Sequence, residues 1–587
     1  MKRIIYIIIL IPVFFLSSCY DYLDKAPEQE VDINVVLSDY ASFRSYTDYL
    51  YFLRKDYFEW FHRGLPCANS DEAATTNTSW MDSFKYKKGD NWQAPDYKTT
   101  YELGYAKKAD NKEYGKESPI IANAMQGLRV ANTALEYFHV LTDATEEQKH
   151  QIKGEIHYFR AWYYMQIILR YGGMPVIDQT YGPSDDINLE RLSYQESNDW
   201  LLEEFDRAIE LLPETWPQNE LGRANKGMAY AGKNLALLYA ASPLMNPELG
   251  HEYNIEHCKA LCDNAINIFE MEQKGIYRLY SLEEYDDIWY SKTKPVSDEA
   301  IVYVNFKTRE KGDMKVGGVC HRLGGFQFFD SPTQNAVDRY ETLNGLPISE
   351  DPTYDPQNPY INRDPRLYKN IYVNGDVIAR QGTKEFMFEP FVGGLDDPTK
   401  EKAGKFRSAR GGYLLRKHWP FGVNNKANDW DGWFKPWINY RLAQAYLDFA
   451  EAANEAYGPT GAVPGTSITA LEAVNIIRRR AQMPEVNSQY TGSKDLFRER
   501  IRNERAVELM FENQRSHDLR RWMIATEVMK DLKRAHITKN NDGTFTYGAV
   551  LLDDIYQPIF KERNYWYPVP NNDDFLSTSF EQNPGWL

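Results

Sequence analysis

The residues of this chain best suited to do chemistry are its aromatic rings and the amides and charges set among them. There are 42 Tyr, 28 Phe and 14 Trp, 14% of 587 residues. Large rigid rings cover ligand surface at small entropic cost, and a few polar groups at their rims suffice to orient what they hold. The chemistry on offer is binding: flat platforms for ring faces, with amides or charges to read hydroxyls. Three stretches combine both without helical period. Asn69 to Tyr101 holds Trp80, Asp82, Asn91, Trp92 and Tyr97, and its tryptophans have no evident core partner in sequence. His321 to Phe329 holds Arg322, Phe326 and Phe328. Asn424 to Trp437 holds Asn428, Trp430, Asp431 and Trp433, rings that could equally pack on the helix starting near Tyr440. Trp289 and Tyr290 fall in a helix-like stretch and are expected in the core.

Covalent chemistry has weaker support. Glu504 and Glu508 lie one helical turn apart and Asp71-Glu72 sits in a loop, so a glycoside hydrolase with two carboxylates about 5–10 Å apart is conceivable. Arg500 precedes Glu504 by four and Arg505 precedes Glu508 by three, which makes an ion-pair lattice the plainer expectation. No Gly-x-Ser-x-Gly elbow, His-Glu-x-x-His pair, phosphate-cradling glycine loop or complete calcium loop is present. The reading is therefore a non-catalytic protein without cofactor. Cys258 and Cys262 share one helix beside His257, but zinc-type spacing and a second ligand pair are missing. With Cys67 and Cys320 they are too sparse for a disulfide framework, though one or two disulfides remain open. A net charge of -16 argues against nucleic acid, and acidic polymers are likewise poor ligands.

These residues must be positioned by a scaffold, and the sequence outlines it. Lys2 and Arg3 precede an apolar run, Ile4 to Phe15, ending in Leu16-Ser17-Ser18-Cys19. That run is shorter than the roughly 20 residues a membrane span needs and has the layout of a cleaved export signal. Residues 1–18 are read as a signal peptide whose cleavage leaves Cys19 first. The box resembles that of bacterial lipoproteins, in which the thiol and freed amine carry acyl chains, each buried methylene adding about 0.8 kcal/mol of anchoring. Residues 19–30 form a short acidic tether. Helical periods follow: Ile152, Ile156, Phe159, Tyr163 and Ile167, stopped by Gly172-Gly173; Leu201, Phe205, Ala208 and Leu212; Lys226 to Ala241; Leu442, Tyr446, Phe449 and Ala453; and Leu496 to Phe511. Small residues such as Gly154 and Ala161 suit close helix contacts. Asp330 to Trp437 is instead rich in Gly, Pro, Asn and Asp, a long ordered loop region with some strands. Asn374-Gly375, Gly411-Gly412 and Asn541-Asp542-Gly543 are turn signals that predict small hairpins.

Taken in order, the motifs resemble the SusD/RagB family of outer-membrane lipoproteins of Bacteroidetes. They run from Gly154-Glu155, Arg160-Ala161-Trp162-Tyr163-Tyr164 and Arg170-Tyr171-Gly172-Gly173-Met174-Pro175 through Gly222-Arg223-Ala224-Asn225 and Leu238-Tyr239-Ala240-Ala241-Ser242-Pro243. Pro332-Thr333-Gln334-Asn335, Asn344-Gly345-Leu346-Pro347 and Arg363-Asp364-Pro365-Arg366-Leu367 follow. Then come Arg441-Leu442-Ala443-Gln444-Ala445-Tyr446, Arg502-Asn503-Glu504-Arg505, Asp518-Leu519-Arg520-Arg521-Trp522 and Gln582-Asn583-Pro584-Gly585-Trp586. The resemblance implies a mostly α fold of tetratricopeptide-like helix pairs packed against a loop-rich, irregular half with a few short strands. It divides the mature chain into an N-terminal SusD-like helical region, 31–270, and a C-terminal RagB/SusD region, 271–587. It further implies a lipid-anchored, cell-surface outer-membrane protein that captures oligosaccharides, or less often peptides, for a SusC-like TonB-dependent transporter. In the family the segment preceding Pro332 often feeds the ligand site, and no catalytic residues come with the resemblance.

Overall fold

The structure is a computed structural model that describes residues 33–55, 66–75, 82–94, 97, 100, 102–104, 118–182, 185, 189–304, 308–309, 330–400, 409–421, 432–570 and 580–586. The signal, Cys19 and the tether lie outside the described residues, as do Trp80, Arg322, Phe326, Phe328 and Trp430.

Helices dominate: α1 (Tyr40–Phe52), α2 (Ile120–Glu136), α3 (Glu146–Tyr171), α4 (Tyr194–Leu211), α5 (Lys226–Ala241), α6 (Ile255–Gln273), α7 (Leu442–Tyr457), α8 (Ala470–Arg480) and α9 (Lys494–Glu508). Their ends follow local chemistry. Thr145 with Gln148 and Ser193 with Glu196 form capping boxes at the starts of α3 and α4, answering amides that have no partner inside the helix. Gly172 at φ 84° and Gly458 at φ 86° close α3 and α7 in a conformation that side chains resist. Each helix from α1 to α8 packs on the next, α6 meeting α7 although residues 274–441 separate them in sequence. Four helix pairs result, and α9 packs along α7.

Close approach is obtained by placing glycine under an aromatic ring. A Cβ at Gly232 of α5 would lie 2.4 Å from the Phe205 ring of α4, and one at Gly127 of α2 would meet the Tyr163 ring of α3. Gly154 faces Leu212 in the same way, as its spacing predicts.

Strands occur as two-stranded antiparallel sheets. Asn541-Asp542-Gly543 turns the hairpin between Lys533–Lys539 and Phe545–Leu551. The other two turn signals do not tip hairpins. Gly375 precedes the strand Val377–Gln381, whose hairpin with Lys384–Met387 turns at Gly382. Gly411 lies where a Cβ would strike the Pro332 carbonyl at 1.8 Å, so its role is close passage of two chain segments. The helices share one apolar core, a second gathers Tyr340, Leu367, Tyr413, Trp419, Trp437 and Phe511, and Trp433 packs against both.

Candidate functional site

The three candidate stretches are far apart in sequence, but strand pairing brings their described ends together. Thr75 pairs with Asp330, so the chain leaves towards Trp80 beside the point where it returns from Phe328. Arg309 pairs with Trp433, so the other end of the 310–329 segment sits beside the third stretch. The base beneath Thr75 and Asp330 is polar and buried. Lys87 donates to the Ala73 carbonyl at 2.6 Å, and burial pulls its ammonium down to about 8.

Within the first stretch the structure corrects the platform expectation for Trp92. The ring is 3% exposed. Its Nε1 donates to the Tyr86 carbonyl at 2.7 Å, Tyr86 and Tyr567 press on it at 4.9 and 5.1 Å, and Trp586 stacks at 5.9 Å. Core partners exist, supplied by the far end of the chain, which is why local sequence did not display them. Tyr97 and Asp82 are buried as well, Tyr97 under the Lys85 ammonium at 5.0 Å, whereas Asn91 is exposed.

Trp433 is half-buried and fits a platform better. Tyr290 meets it edge-on at 5.7 Å and the exposed Lys292 sits over its ring at 4.9 Å. Tyr290 and Trp289 are themselves core, as their helix-like stretch predicts. From Tyr290 a partly exposed strip continues through Arg416, which approaches Asp286 at 3.4 Å and lies over Phe421 at 5.4 Å. Phe421 is 46% exposed, with Arg380 on it at 5.8 Å. Ring faces edged by guanidinium, ammonium and carboxylate form a surface able to stack a ligand and read its polar rim. Sequence reasoning missed Lys292, Arg416 and Phe421. No local signal marks them, because they converge with Trp433 from segments up to 141 positions apart, the separation of Lys292 and Trp433.

The carboxylates considered for hydrolysis are occupied. Glu504 meets Arg366 at 2.5 Å and Arg478 at 3.1 Å, and Glu508 meets Arg366 at 3.0 Å, Arg441 at 2.7 Å and also Arg480. The lattice is as anticipated, but its partners are not: Arg500 reaches Glu341, and Arg505 reaches Asp448 and Asp518. Buried charges choose the partner with the best directed fit across elements rather than the neighbour one turn away. Burial opposes the charge on Glu508, yet Arg480, Arg441 and Arg366 hold its carboxyl well below the usual range. Asp71 is treated likewise by Arg515 and Arg339, each at 2.8 Å. Next to it Glu72 is pushed the other way, to about 8, by burial and by the charge on Asp71, while its carboxyl accepts from the Phe511 amide at 3.3 Å. Opposed shifts of this kind accompany acid–base pairs. Here both groups are buried behind their partners, at 1% and 2% exposure, so the pair serves packing. Cys67, Cys258 and Cys262 are buried free thiols, each raised by burial, and no metal-holding cluster occurs among the described residues.

Comparison with known proteins places this fold. The model of the SusD family matches residues 316–586, and that described as starch-binding associating with outer membrane matches residues 21–236. A SusD-like protein of Formosa agariphila is 36% identical over 106 residues, 18% of this chain and 19% of that protein, so the match spans about a fifth of its length. The solved structure of a SusD-like protein from Bacteroides fragilis shares the fold with a TM-score of 0.72 at 24% identity, covering 96% of this chain and 100% of that one. A SusD-like carbohydrate binding protein from the same species gives 0.64 at 20% over 90% and 96%. Surface glycan-binding protein A from Bacteroides fluxus gives 0.56 at 16% over 93% and 99%.

Proposed function

The chain belongs to the SusD/RagB family, and from that premise we propose that it is a non-catalytic surface lipoprotein that captures oligosaccharides and delivers them to a SusC-like TonB-dependent transporter. The observation that carries this reading is the convergence of three aromatic-rich stretches on two strand pairs, Thr75 with Asp330 and Arg309 with Trp433. Loops set on a rigid scaffold are where binding residues concentrate. The Trp433–Phe421 strip provides the described part of the surface, and Trp80, Arg322, Phe326, Phe328 and Trp430 are proposed to complete it. Solved relatives described as carbohydrate binding and surface glycan-binding support extending that ligand class to this chain.

Anchoring is proposed through acyl chains on Cys19, at the outer face of the outer membrane. Among the described residues no helix is long and apolar enough to cross a membrane. Mass spectrometry of the mature N-terminus tests this: an acylated Cys19 is expected, and an unmodified Met1 would refute it.

The ligand is tested by calorimetric titration of the purified protein against neutral and acidic oligosaccharides and mixed peptides, with chromatography of each mixture afterwards. Saturable binding of a glycan recovered intact is expected. Binding of peptides alone would replace oligosaccharide by peptide as cargo, and shortened glycans would overturn the non-catalytic reading.

A further inference from the structure

The helical half carries a cleft of about 520 Å³ lined by Leu135, Phe138, His139, Lys153, His157 and Arg207, within the range of roughly 300–1,000 Å³ usual for ligand sites. It lies where the end of α2 meets α3 and α4, and no carboxylate lines it among the described residues. Glu204 of α4, buried beside it, is already shared: Arg160 meets it at 2.6 Å, His157 at 2.8 Å, and Arg207 closes on the same group. Burial opposes its charge, but hydrogen bonds from His157 and Arg160 hold its carboxyl down at about 2, so it is ionised and partnered. The half-exposed Arg207 also reaches Glu203 at 3.0 Å. Lys153 differs. It is exposed and meets no carboxylate among the described residues; its ammonium lies over the half-buried Phe138 ring at 5.8 Å. An accessible ammonium over an aromatic floor, with imidazoles and a guanidinium beside it, fits a carboxylate carried next to an apolar side chain.

The chain carries that chemistry immediately before the described residues. The segment from Tyr20 to Asp32 sets five carboxylates against one lysine, and Tyr22-Leu23 stand between Asp21 and Asp24. The described chain enters the fold beside the cleft. Leu37 is fully buried, the Tyr40 amide donates to Asp143 at 2.8 Å in the turn between α2 and α3, and the Phe43 ring meets Phe138 edge-on at 5.7 Å. Asp24 stands nine positions before Ile33, a reach of up to about 30 Å when extended. A partner joined by so short a link is present at an effective concentration of order millimolar, so contacts too weak to hold a free peptide suffice. With a net charge of -16 the rest of the chain repels an acidic segment, which leaves a cleft without carboxylates as the place that accepts it.

We infer that this cleft is a docking site for the chain's own acidic segment, residues 20–32, with Asp21 or Asp24 on Lys153 and Tyr22-Leu23 against Phe138 and Leu135. The inference rests on the cleft and on the chemistry of the segment, and it holds whether or not the protein captures glycans. Where Cys19 is acylated, seating the segment shortens the link to the membrane and fixes which end of the helical array faces it.

Carbodiimide joins a carboxylate to an amine in contact with it, so peptide mapping of the treated, purified protein reads the contact directly. Amide links from Asp21, Asp24 or Glu28 to Lys153 are expected, and their absence while Glu146 and Lys149, 3.0 Å apart, become joined overturns the inference. An equal mixture of isotope-labelled and unlabelled protein identifies the donor. Links within one copy are expected; links of mixed mass would give the cleft to a second copy and overturn its assignment to the chain's own segment. Proteolysis supplies a second reading. Lys153→Gln should speed tryptic cleavage after Lys25 about fivefold, the size of one exposed ion pair, whereas Lys259→Gln on α6 should leave the rate unaltered. Equal rates in Lys153→Gln and the unaltered protein would likewise overturn the inference.

Discussion

Where α4 meets α5, Gly232 lets the Phe205 ring settle against the helix backbone, and the contact is made of carbon. Where the irregular half meets the helices, the contact is made of charge. Arg366 joins Glu504 and Glu508 of α9 at 2.5 and 3.0 Å, Glu341 joins Arg478 of α8 at 2.9 Å, and Arg441 at the start of α7 joins Glu299, Glu508 and Glu512. The two halves solve the same problem by different physics. A helical array has a period, so apolar stripes find one another repeatedly with little need for directionality. Segments such as 330–400 have none, and an apolar surface without period specifies no register. Directed, desolvated hydrogen-bonded ion pairs do specify one. Their net stabilisation against an apolar replacement is small, but a broken pair is costly, so they penalise wrong arrangements.

The comparison is broken most severely by removing one member of the network. Arg441→Leu removes the cation that Glu299, Glu508 and Glu512 have in common and is expected to cost about 3–5 kcal/mol. Urea denaturation measures it, and a loss below about 1 kcal/mol would mean the charges do not hold the halves together. Trp92→Ala belongs to the carbon side. An expected cost of about 3–5 kcal/mol with oligosaccharide affinity unchanged would settle its place in the core, and weakened affinity in a fully stable protein would restore it as a platform. Gly232→Val overfills the α4–α5 contact and should cost about 1–3 kcal/mol; a neutral result would show that Phe205 yields easily.

Glu72 sharpens the electrostatic side through pH. Its folded-state value, about 8, lies above the ordinary carboxyl value of 4.5, so its protonated form is the one the fold accepts. The stability it contributes is complete below about 4.5 and is lost as pH rises through 8. Thermal unfolding of the unaltered protein should therefore weaken between pH 5 and pH 8 relative to Glu72→Gln, by on the order of 2 kcal/mol. Parallel profiles for the two proteins would refute the assignment. The smallest structural effect is expected at Trp433, which is only half-buried. Trp433→Ala should reduce oligosaccharide affinity about tenfold, roughly 1.4 kcal/mol, with a smaller loss of stability. Stability lost without affinity would make Trp433 a seam residue and nothing more.

The helical half was legible in sequence because its rules are local. Thr145 and Gln148, Ser193 and Glu196, and the spacing from Ile152 to Ile167 act within a few residues of one another, and the observed helices agree. The site was legible only as a set of stretches. Trp92 and Trp433 look alike in sequence, each an aromatic residue in a polar context. Trp92 is covered by Tyr567 and Trp586, nearly 500 positions away, whereas Trp433 is left half open at the seam of two cores. The carboxylates show the same limit: that Glu504 and Glu508 would be neutralised could be read from their arginine-rich helix, but the arginines that do so come mainly from Arg366, Arg441, Arg478 and Arg480.

What the sequence determined by itself is what short-range chemistry writes: the periods and caps of the helices, and the order of motifs that marks the family. Tertiary structure alone decided which rings face solvent and which arginine answers which carboxylate. The physical reason is that burial and hydrogen-bond partnership are properties of a side chain's surroundings, and here those surroundings are assembled from segments that sequence spacing does not connect.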